Sequence, residues 1–166
     1  MKNIVLIGIM GAGKTTIGKK LSADLDRPFI DMDVYLEKKY EMSIADMFKI
    51  SEDYFRDYES ACCQDMSTQT NTVISTGGGV IKRSENIAYL KKNGIVFYID
   101  RPLEQIVDDV DTSSRPLLKD GPQKLYDLDQ ERRALYLSSC DYHLINDGTL
   151  EEICQKIIDV MKEEDA

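Results

Sequence analysis

A short apolar run that leads directly into a glycine-rich loop is the feature that most constrains the fold of this chain. The loop is Gly8-Ile9-Met10-Gly11-Ala12-Gly13-Lys14-Thr15, which follows the run Ile4–Ile7 and satisfies the pattern G-x-x-x-x-G-K-[ST]. Its glycines let consecutive backbone N–H groups point at one anion, and the helix that follows adds the positive end of its dipole. The pattern predicts an α/β domain that binds a nucleoside triphosphate. A tight turn with a coincidental lysine is the alternative.

Residues of this loop have predicted roles in nucleotide binding. Lys14 is expected to reach the outer phosphates, and the hydroxyl of Thr15 is expected to bind one Mg²⁺ ion. The other predicted nucleotide-binding residues of this segment are Gly11, Ala12, Gly13 and Thr16.

The rest of the chain alternates short apolar runs with longer amphipathic ones. Because the short runs are almost continuously apolar, they are typical of parallel strands covered by helices on both faces. Strands are predicted at Ile4–Ile7, Pro28–Ile30, Thr72–Ser75, Ile95–Ile99 and Tyr142–Ile145. Helices are predicted at about Lys14–Asp26, Val34–Tyr40, Ile44–Phe48, Glu52–Thr68, Ser84–Lys92, Leu103–Asp109, Pro122–Ser138 and Leu150–Met161. We therefore expect a single α/β domain over residues 1–166.

Composition argues against several classes of function. Lysine and arginine number 21 against 30 aspartates and glutamates, and the net charge of −9 opposes binding to a nucleic-acid backbone. The longest apolar runs are far shorter than the roughly 20 residues that cross a bilayer, and the first residues lack a signal-peptide cleavage site. The four cysteines have no C-x-x-C spacing and His143 is the single histidine, which disfavours a zinc site. We expect a cytosolic protein without nucleic-acid or membrane partners.

A pair of carboxylates follows the second predicted strand. In an extended chain, Asp31 and Asp33 would lie on one face and point into the crevice above the strand ends, where ligands bind in such sheets. One carboxylate could then attend the magnesium ion while the other accepts the proton of an attacking hydroxyl. The alternative is that Asp33 caps a helix beginning at Val34.

Three further groups could contact a second substrate. Gly77-Gly78-Gly79 follows the third strand, either as a strained turn or because a ligand packs against bare backbone. Arg56 and Glu59 have helical i, i+3 spacing, which suits a guanidinium held ready for a carboxylate but also an ordinary surface ion pair. Arg115 stands in a polar stretch that we interpret as a mobile loop, where it is either solvated or brings positive charge to a transferring phosphoryl group.

Taken in order, these elements read G-x-x-G-x-G-K-T, D-x-D, F-R-x-x-E, G-G-G, R-P-L-L and E-R-x-x-L-Y, and together they resemble the shikimate kinase family over nearly the whole chain. The resemblance implies a three-layer α/β sandwich whose five-stranded parallel sheet has the order 2-3-1-4-5, as in P-loop NTPases of the nucleoside-monophosphate-kinase type. It implies a substrate-binding insertion at about residues 33–61 and a lid at about 109–123. The implied reaction transfers the γ-phosphoryl group of ATP to the 3-hydroxyl of shikimate, in chorismate and aromatic amino acid biosynthesis. We expect a monomer.

The resemblance also implies residue roles. Asp33 would be the catalytic base, aided by Lys14 and by Arg115, which would also bind the nucleotide, while Thr15 and Asp31 would attend the magnesium ion. The implied shikimate-binding residues are Asp33, Phe48, Phe55, Arg56, Glu59, Gly78, Gly79 and Arg132, with Arg56 and Arg132 on the carboxylate. Arg132, rather than Arg133, fits the family spacing to Tyr136.

The chain departs from the family pattern around the nucleotide base. Many members carry a basic residue over the adenine where this chain has Asp108, and the loop Ile145–Gly148 lacks the proline often found there. Strictness for ATP over other triphosphates therefore stays open. The alternatives for function are a nucleotide kinase or sugar acid kinase of the same fold and, from another class, a nucleotide-binding regulator without catalysis. A GTPase is disfavoured, because N-K-x-D and a strand-linked D-x-x-G are missing.

Overall fold

The computed structural model describes residues 1–110 and 122–165, which form an α/β structure of five strands and eight α-helices. The strands are β1 (Asn3–Ile7), β2 (Phe29–Asp31), β3 (Val73–Ser75), β4 (Gly94–Asp100) and β5 (Tyr142–Ile145). The helices are α1 (Lys14–Leu25), α2 (Met32–Tyr40), α3 (Ile44–Ile50), α4 (Glu52–Met66), α5 (Ser84–Lys92), α6 (Leu103–Val110), α7 (Pro122–Ser139) and α8 (Leu150–Glu164). A 3₁₀ turn covers Val80–Lys82.

The five strands form one parallel sheet in the order β2-β3-β1-β4-β5, which confirms the predicted topology. Strand β1 lies at the centre, pairing with β3 on one side and with β4 on the other. Parallel neighbours need crossover connections, and the helices between successive strands supply them. The carboxyl ends of the strands consequently meet at one edge of the sheet.

The core is built from the central strands. Every residue of β1 and of β4 is buried, which explains why the stretches Ile4–Ile7 and Ile95–Ile99 are continuously apolar rather than alternating. Each fully buried aliphatic side chain of this kind contributes about 1.5–3 kcal/mol through removal of apolar surface from water. Strand β4 is longer than predicted because Gly94 pairs with Asn3 at one end and Asp100 pairs with Ile145 at the other.

The junction between β2 and α2 differs from the prediction. Strand β2 ends at Asp31, and α2 begins at the next residue, Met32. Asp31 is the N-cap: its Oδ1 accepts hydrogen bonds from the backbone N–H groups of Asp33 at 3.0 Å and Val34 at 3.3 Å. The alternative in which Asp33 caps a helix from Val34 is therefore wrong, and so is the premise that both carboxylates stand on extended chain.

Helices α2, α3 and α4 lie between β2 and β3 and, with their short connections, span residues 32–66, which include the expected substrate-binding insertion at about 33–61. Ser43 and Ser51 begin α3 and α4, because their hydroxyls accept hydrogen bonds from the N–H groups of Asp46 and Tyr54, respectively. Most of the expected lid, residues 111–121, lies outside the described residues, and so does Arg115.

Within residues 1–110 and 122–165, no helix combines the length and the apolar character needed to cross a bilayer.

Candidate active site

A cavity of about 370 Å³ opens at the carboxyl edge of the sheet, above β1, β2 and β3. Ligands bind at this edge in open parallel sheets. The residues that line it are Met10, Gly11, Gly13, Lys14, Thr15, Thr16, Asp31, Asp33, Ser75, Thr76, Gly77, Gly78, Arg101 and Asp109. It therefore brings the glycine-rich loop and the two aspartates into one space.

The loop between β1 and α1 has the backbone shape that anion binding requires. Gly11 and Gly13 have φ angles of 80° and 101°, in the left-handed region that favours glycine. Gly8 is needed for a different reason, because a Cβ built on it would lie 2.5 Å from the carbonyl oxygen of Ile99. The ammonium group of Lys14 lies across this loop and donates hydrogen bonds to the carbonyl oxygens of Gly8 and Ile9. The loop is a cradle for phosphate.

Thr15 and Thr16 occupy the first turn of α1, and both are exposed to the cavity. The hydroxyl of Thr15 and the carboxylate of Asp31 are oxygen donors of the kind that Mg²⁺ prefers. Although Oδ1 of Asp31 caps α2, the carboxylate still lines the cavity. The donor set present thus fits a magnesium ion.

Asp33 stands in the first turn of α2 and also lines the cavity. The cavity walls exclude part of the solvent from its carboxylate and raise its pKa above the ordinary value, and neighbouring Asp31 adds to this, while Lys14 and Arg56 oppose it. A Cβ built on Gly77 would lie 3.0 Å from Oδ1 of Asp33, so the bare backbone there makes room for this carboxylate. A carboxylate with a raised pKa in a cleft is suited to accept a proton.

The run of three glycines after β3 makes room for two arginines. A Cβ built on Gly79 would lie 2.4 Å from Nη2 of Arg56, and one built on Gly78 would lie 3.4 Å from Nη1 of Arg132. The strained-turn alternative is wrong, because Gly77, Gly78 and Gly79 are all absent from the residues with positive φ. The glycines instead allow two guanidinium groups to approach the backbone beside the cavity.

Arg56 is held rigidly on α4. Its Nη1 donates to Oε1 of Glu59 at 2.9 Å, and its Nε donates to Oε2 of Glu52 at 3.2 Å. Arg56 is 7% exposed and Glu59 is 2% exposed, so the surface ion-pair alternative is wrong. Burial raises the pKa of Glu59, whereas Arg56 beside it acts in the opposite direction. The two carboxylates fix the orientation of the guanidinium that faces Gly79.

Arg132 and Arg133 are adjacent on α7 but serve different parts of the molecule. Arg132 lies against Gly78, and its buried Nε has no hydrogen-bond partner within the described part of the chain. Tyr136, one turn further, donates a hydrogen bond from its hydroxyl to the carbonyl of Gly78 at 2.6 Å. Arg133 instead binds both carboxylate oxygens of Asp100, at 2.7 and 3.2 Å. The structure therefore places Arg132, and not Arg133, near Arg56, because the two arginines lie against the neighbouring glycines Gly78 and Gly79.

Two aromatic rings border Arg56. Phe48 and Phe55 stack with ring centroids 4.7 Å apart, and the guanidinium of Arg56 lies 5.8 and 5.0 Å from their respective centroids. Phe55 is buried, whereas Phe48 is 42% exposed. An apolar wall beside a fixed cation suits a small ring that carries a carboxylate.

Sequence reasoning did not identify two side chains that contact the glycine-rich loop. Arg101, directly after β4, donates from Nη1 to the carbonyl of Gly11 at 3.1 Å. Asn146, directly after β5, donates from Nδ2 to the carbonyl of Ala12 at 2.9 Å. Their only sequence signal is their position at the carboxyl end of a strand.

The fold and the site together define a class. A phosphate-binding loop on a five-stranded parallel sheet, facing a pair of carboxylates, is that of a P-loop kinase of the nucleoside-monophosphate-kinase type.

Comparison with known proteins identifies the family. The family model for shikimate kinase matches residues 10–162. A shikimate kinase of Clostridium botulinum (strain Alaska E43 / Type E3) is 47% identical over 158 residues, which cover 95% of this chain and 96% of the relative. The solved shikimate kinase from Acinetobacter baumannii in complex with shikimate has a TM-score of 0.88 at 35% identity and covers 99% of this chain and 94% of its own. That of Bacteroides thetaiotaomicron has a TM-score of 0.86 at 26% identity, covering 97% and 98%. This chain belongs to the shikimate kinase family.

Proposed function

We propose that this chain transfers the γ-phosphoryl group of ATP to the 3-hydroxyl of shikimate, giving shikimate 3-phosphate and ADP. The observation that carries the proposal is the placement of two arginines, Arg56 and Arg132, against Gly78 and Gly79, beside the cavity that also holds the phosphate loop. Two guanidinium groups suit one planar carboxylate. Shikimate supplies that carboxylate on a small ring with hydroxyl groups.

In the proposed reaction, Asp33 orients the attacking hydroxyl and accepts its proton, which the raised pKa of its carboxyl favours. Lys14 leaves the carbonyls that it contacts and binds the outer phosphate oxygens, where its charge stabilises the transition state. Because phosphoryl transfer passes through a loose transition state, positioning and charge supply most of the acceleration. Arg115 is proposed to add a further positive charge, although it lies outside the described residues.

Thr15 and Asp31 are the residues that would hold Mg²⁺. When bound with ATP, the ion supplies positive charge at the β- and γ-phosphate oxygens.

The proposed enzyme works as a monomer in the cytosol. The phosphate loop, both carboxylates and both arginines come from one chain, so a second copy is not needed to complete the site. All four cysteines are unpaired thiols, which fits a reducing compartment.

The direct test is an ADP-release assay with shikimate, gluconate and nucleoside monophosphates compared side by side. We expect release to accelerate with shikimate alone, because the other acceptors do not present a ring carboxylate to the two arginines. Acceleration by a nucleoside monophosphate instead would assign the chain to the nucleotide kinase alternative. No acceleration by any acceptor, with ATP still bound, would favour the regulator.

Arg132→Ala is expected to raise the shikimate KM by about 30-fold or more, because a charged hydrogen bond to the carboxylate contributes about 2–4 kcal/mol. Its matched control is the adjacent Arg133→Ala. Arg133 binds the carboxylate of Asp100, whereas Arg132 is the arginine that lies against Gly78. Steady-state kinetics with shikimate varied at saturating ATP measure both. Equal effects of the two substitutions on KM would show that Arg132 has no special role in binding the carboxylate.

Gly79→Ala tests the same site through the backbone. The new methyl group would collide with the guanidinium of Arg56, whereas the φ of Gly79, −98°, is one that alanine adopts freely. We expect the shikimate KM to rise about tenfold and the ATP KM to stay nearly constant. Gly148→Ala is the control, because its methyl group meets only the carboxylate end of the exposed Glu152. An unchanged shikimate KM in Gly79→Ala would mean that the position of Arg56 is unimportant.

A further inference from the structure

Arg101 joins the phosphate loop to the start of the segment that leads towards the expected lid. Its Nη1 donates to the carbonyl of Gly11, and its Nη2 forms an ion pair with Asp109 on α6. The side chain of Arg101 is 21% exposed, whereas that of Asp109 is 63% exposed, so the arginine is the more enclosed partner. Both residues line the cavity together with the loop.

The contact with Gly11 is one of two side-chain hydrogen bonds, from Arg101 and Asn146, that restrain carbonyl groups of the phosphate loop. Arg101 binds the carbonyl of Gly11, and Asn146 binds the carbonyl of Ala12. In a planar trans peptide the N–H group points opposite to the carbonyl, so each bond fixes a whole peptide unit. The two bonds restrain the Gly11–Ala12 and Ala12–Gly13 peptides. The N–H group of the first peptide belongs to Ala12 and donates to the carbonyl of Ile9 at 3.2 Å. Arg101 and Ile9 therefore hold this peptide from both sides and fix the turn that leads to the N-terminus of α1, where anions bind.

Arg101 also contributes charge. Among the described residues that line the cavity, Lys14 and Arg101 are the cations, against the carboxylates of Asp31, Asp33 and Asp109. A nucleoside triphosphate brings several negative charges into this space. A cation that is largely enclosed is screened by salt less than an exposed one, so its attraction for the phosphates persists at physiological ionic strength.

The topology of the sheet separates Arg101 from the acceptor side. Arg101 follows β4, whereas Asp33 and Gly77–Gly79 follow β2 and β3, and the central β1 lies between these two groups of strands. The hydrogen bond and ion pair given for Arg101 go to Gly11 and Asp109, so a change at Arg101 acts directly on the phosphate loop rather than on the residues that follow β2 and β3.

We propose that Arg101 is a nucleotide-positioning residue, which fixes the Gly11 peptide of the phosphate loop and adds positive charge for the nucleotide's phosphates while leaving acceptor binding unchanged. The role of Arg101 in turnover rests on the proposed function. Its role in nucleotide affinity can be measured without any acceptor.

The test compares the wild-type chain with Arg101→Ala, Arg101→Lys and the control Arg83→Ala, whose arginine forms an exposed ion pair with Asp57 away from the cavity. Calorimetry measures the Kd for ADP with magnesium, and steady-state assays measure the KM of ATP and of shikimate. We expect Arg101→Ala to raise the ADP Kd and the ATP KM about tenfold, the loss typical of one charge-assisted hydrogen bond. Arg101→Lys keeps the charge and should recover at least half of that loss on a logarithmic scale.

The shikimate KM distinguishes the proposed role from a purely structural one, because a general distortion of the fold would raise the shikimate KM together with the ATP KM. It should stay within about twofold of the wild-type value in both Arg101 variants, and Arg83→Ala should leave all three constants unchanged. Circular dichroism checks that each variant folds, and Arg101→Gln replaces Arg101→Ala if the latter does not.

Two results would overturn the inference. One is an ADP Kd in the neutral variant within about threefold of the wild-type value, and the other is a rise in the shikimate KM equal to that in the ATP KM. If the wild-type chain turns shikimate over normally, either result rejects the role of Arg101 and leaves the proposed function intact. If the wild-type chain binds ADP but does not phosphorylate shikimate, the proposed function fails, while the ADP affinities still decide the role of Arg101.

Discussion

Replacement of Lys14 by alanine is expected to lower kcat by about 10³-fold or more, with the shikimate KM nearly unchanged. Lys14 is buried beneath the loop and already donates to two of its carbonyls, so its charge lies within the phosphate cradle. Because this charge acts mainly on the transferring phosphoryl group, its loss affects the chemical step more than acceptor binding. An ADP-release assay at saturating substrates measures the effect.

Lys20→Ala is the matched control for that experiment. Lys20 lies on the same helix, six residues further, and forms a partly exposed i, i+4 ion pair with Asp24. Such pairs contribute only about 0.3–0.5 kcal/mol to stability, so turnover should remain at the wild-type level. A Lys14→Ala variant that kept more than about a tenth of the wild-type kcat would contradict the proposed role of this lysine.

Asp33→Asn is expected to lower kcat by about 10²–10⁴-fold, because asparagine keeps the size of the side chain but cannot accept the proton of the attacking hydroxyl. The same substitution should raise the melting temperature. Partial loss of solvent inside the cavity and neighbouring Asp31 raise the pKa of Asp33 in the folded chain, so its negative charge at neutral pH destabilises the folded state. Because the side chain remains exposed to solvent, this destabilisation and the expected gain in melting temperature are small. Removal of that charge relieves the cost.

The pH dependence checks the sign of this argument. A carboxyl whose pKa is raised on folding binds its proton more tightly in the folded state than in the unfolded state. The loss of folding stability caused by Asp33 therefore develops as the pH rises from the pKa of the unfolded state to the pKa of the folded state. The melting-temperature advantage of Asp33→Asn should therefore be present at neutral pH and vanish in acid, where Asp33 itself is protonated. Asp46→Asn is the control, since Asp46 pairs with Lys49 in the first turn of α3 and should show no gain. Normal turnover by Asp33→Asn would exclude Asp33 as the base.

A parallel sheet covered on both faces could be predicted from the sequence pattern, because burial on both faces leaves a local signature, whereas the strand order was implied by the family resemblance alone. Continuously apolar strands such as β4 indicate burial on both faces, and the glycine-rich loop fixes where the first helix starts. The junction at Asp31 could not be predicted in the same way. Both Asp31 and Asp33 are good N-cap residues, and only the folded backbone shows that Asp31 accepts the two free N–H groups.

The residues of the site likewise divide into those that the sequence could predict and those that only the folded structure shows. The phosphate loop is one contiguous motif, so its residues could be assigned from spacing alone. Arg101 and Asn146 could not be assigned, because their partners are backbone carbonyls 90 and 134 residues away, and any residue type can supply a carbonyl. Spacing alone leaves Arg56 open between a carboxylate clamp and a surface ion pair, and the carboxylate-binding roles of Arg56 and Arg132 are implied by the resemblance. Their shared surroundings depend on the folding of α4 and α7 against the glycines after β3.

The location of the central strand β1 between two functional flanks has a consequence for engineering. The proposed nucleotide flank consists of the phosphate loop after β1 and the residues at the ends of β4 and β5 that contact it. The proposed acceptor flank consists of α2–α4, the glycines after β3 and one arginine of α7. A graft that replaces residues 32–66 and 77–79 together with Arg132 is therefore expected to exchange the acceptor specificity of this scaffold while leaving its phosphate-donor half unchanged. Acceptor choice and donor choice can diverge separately on this architecture.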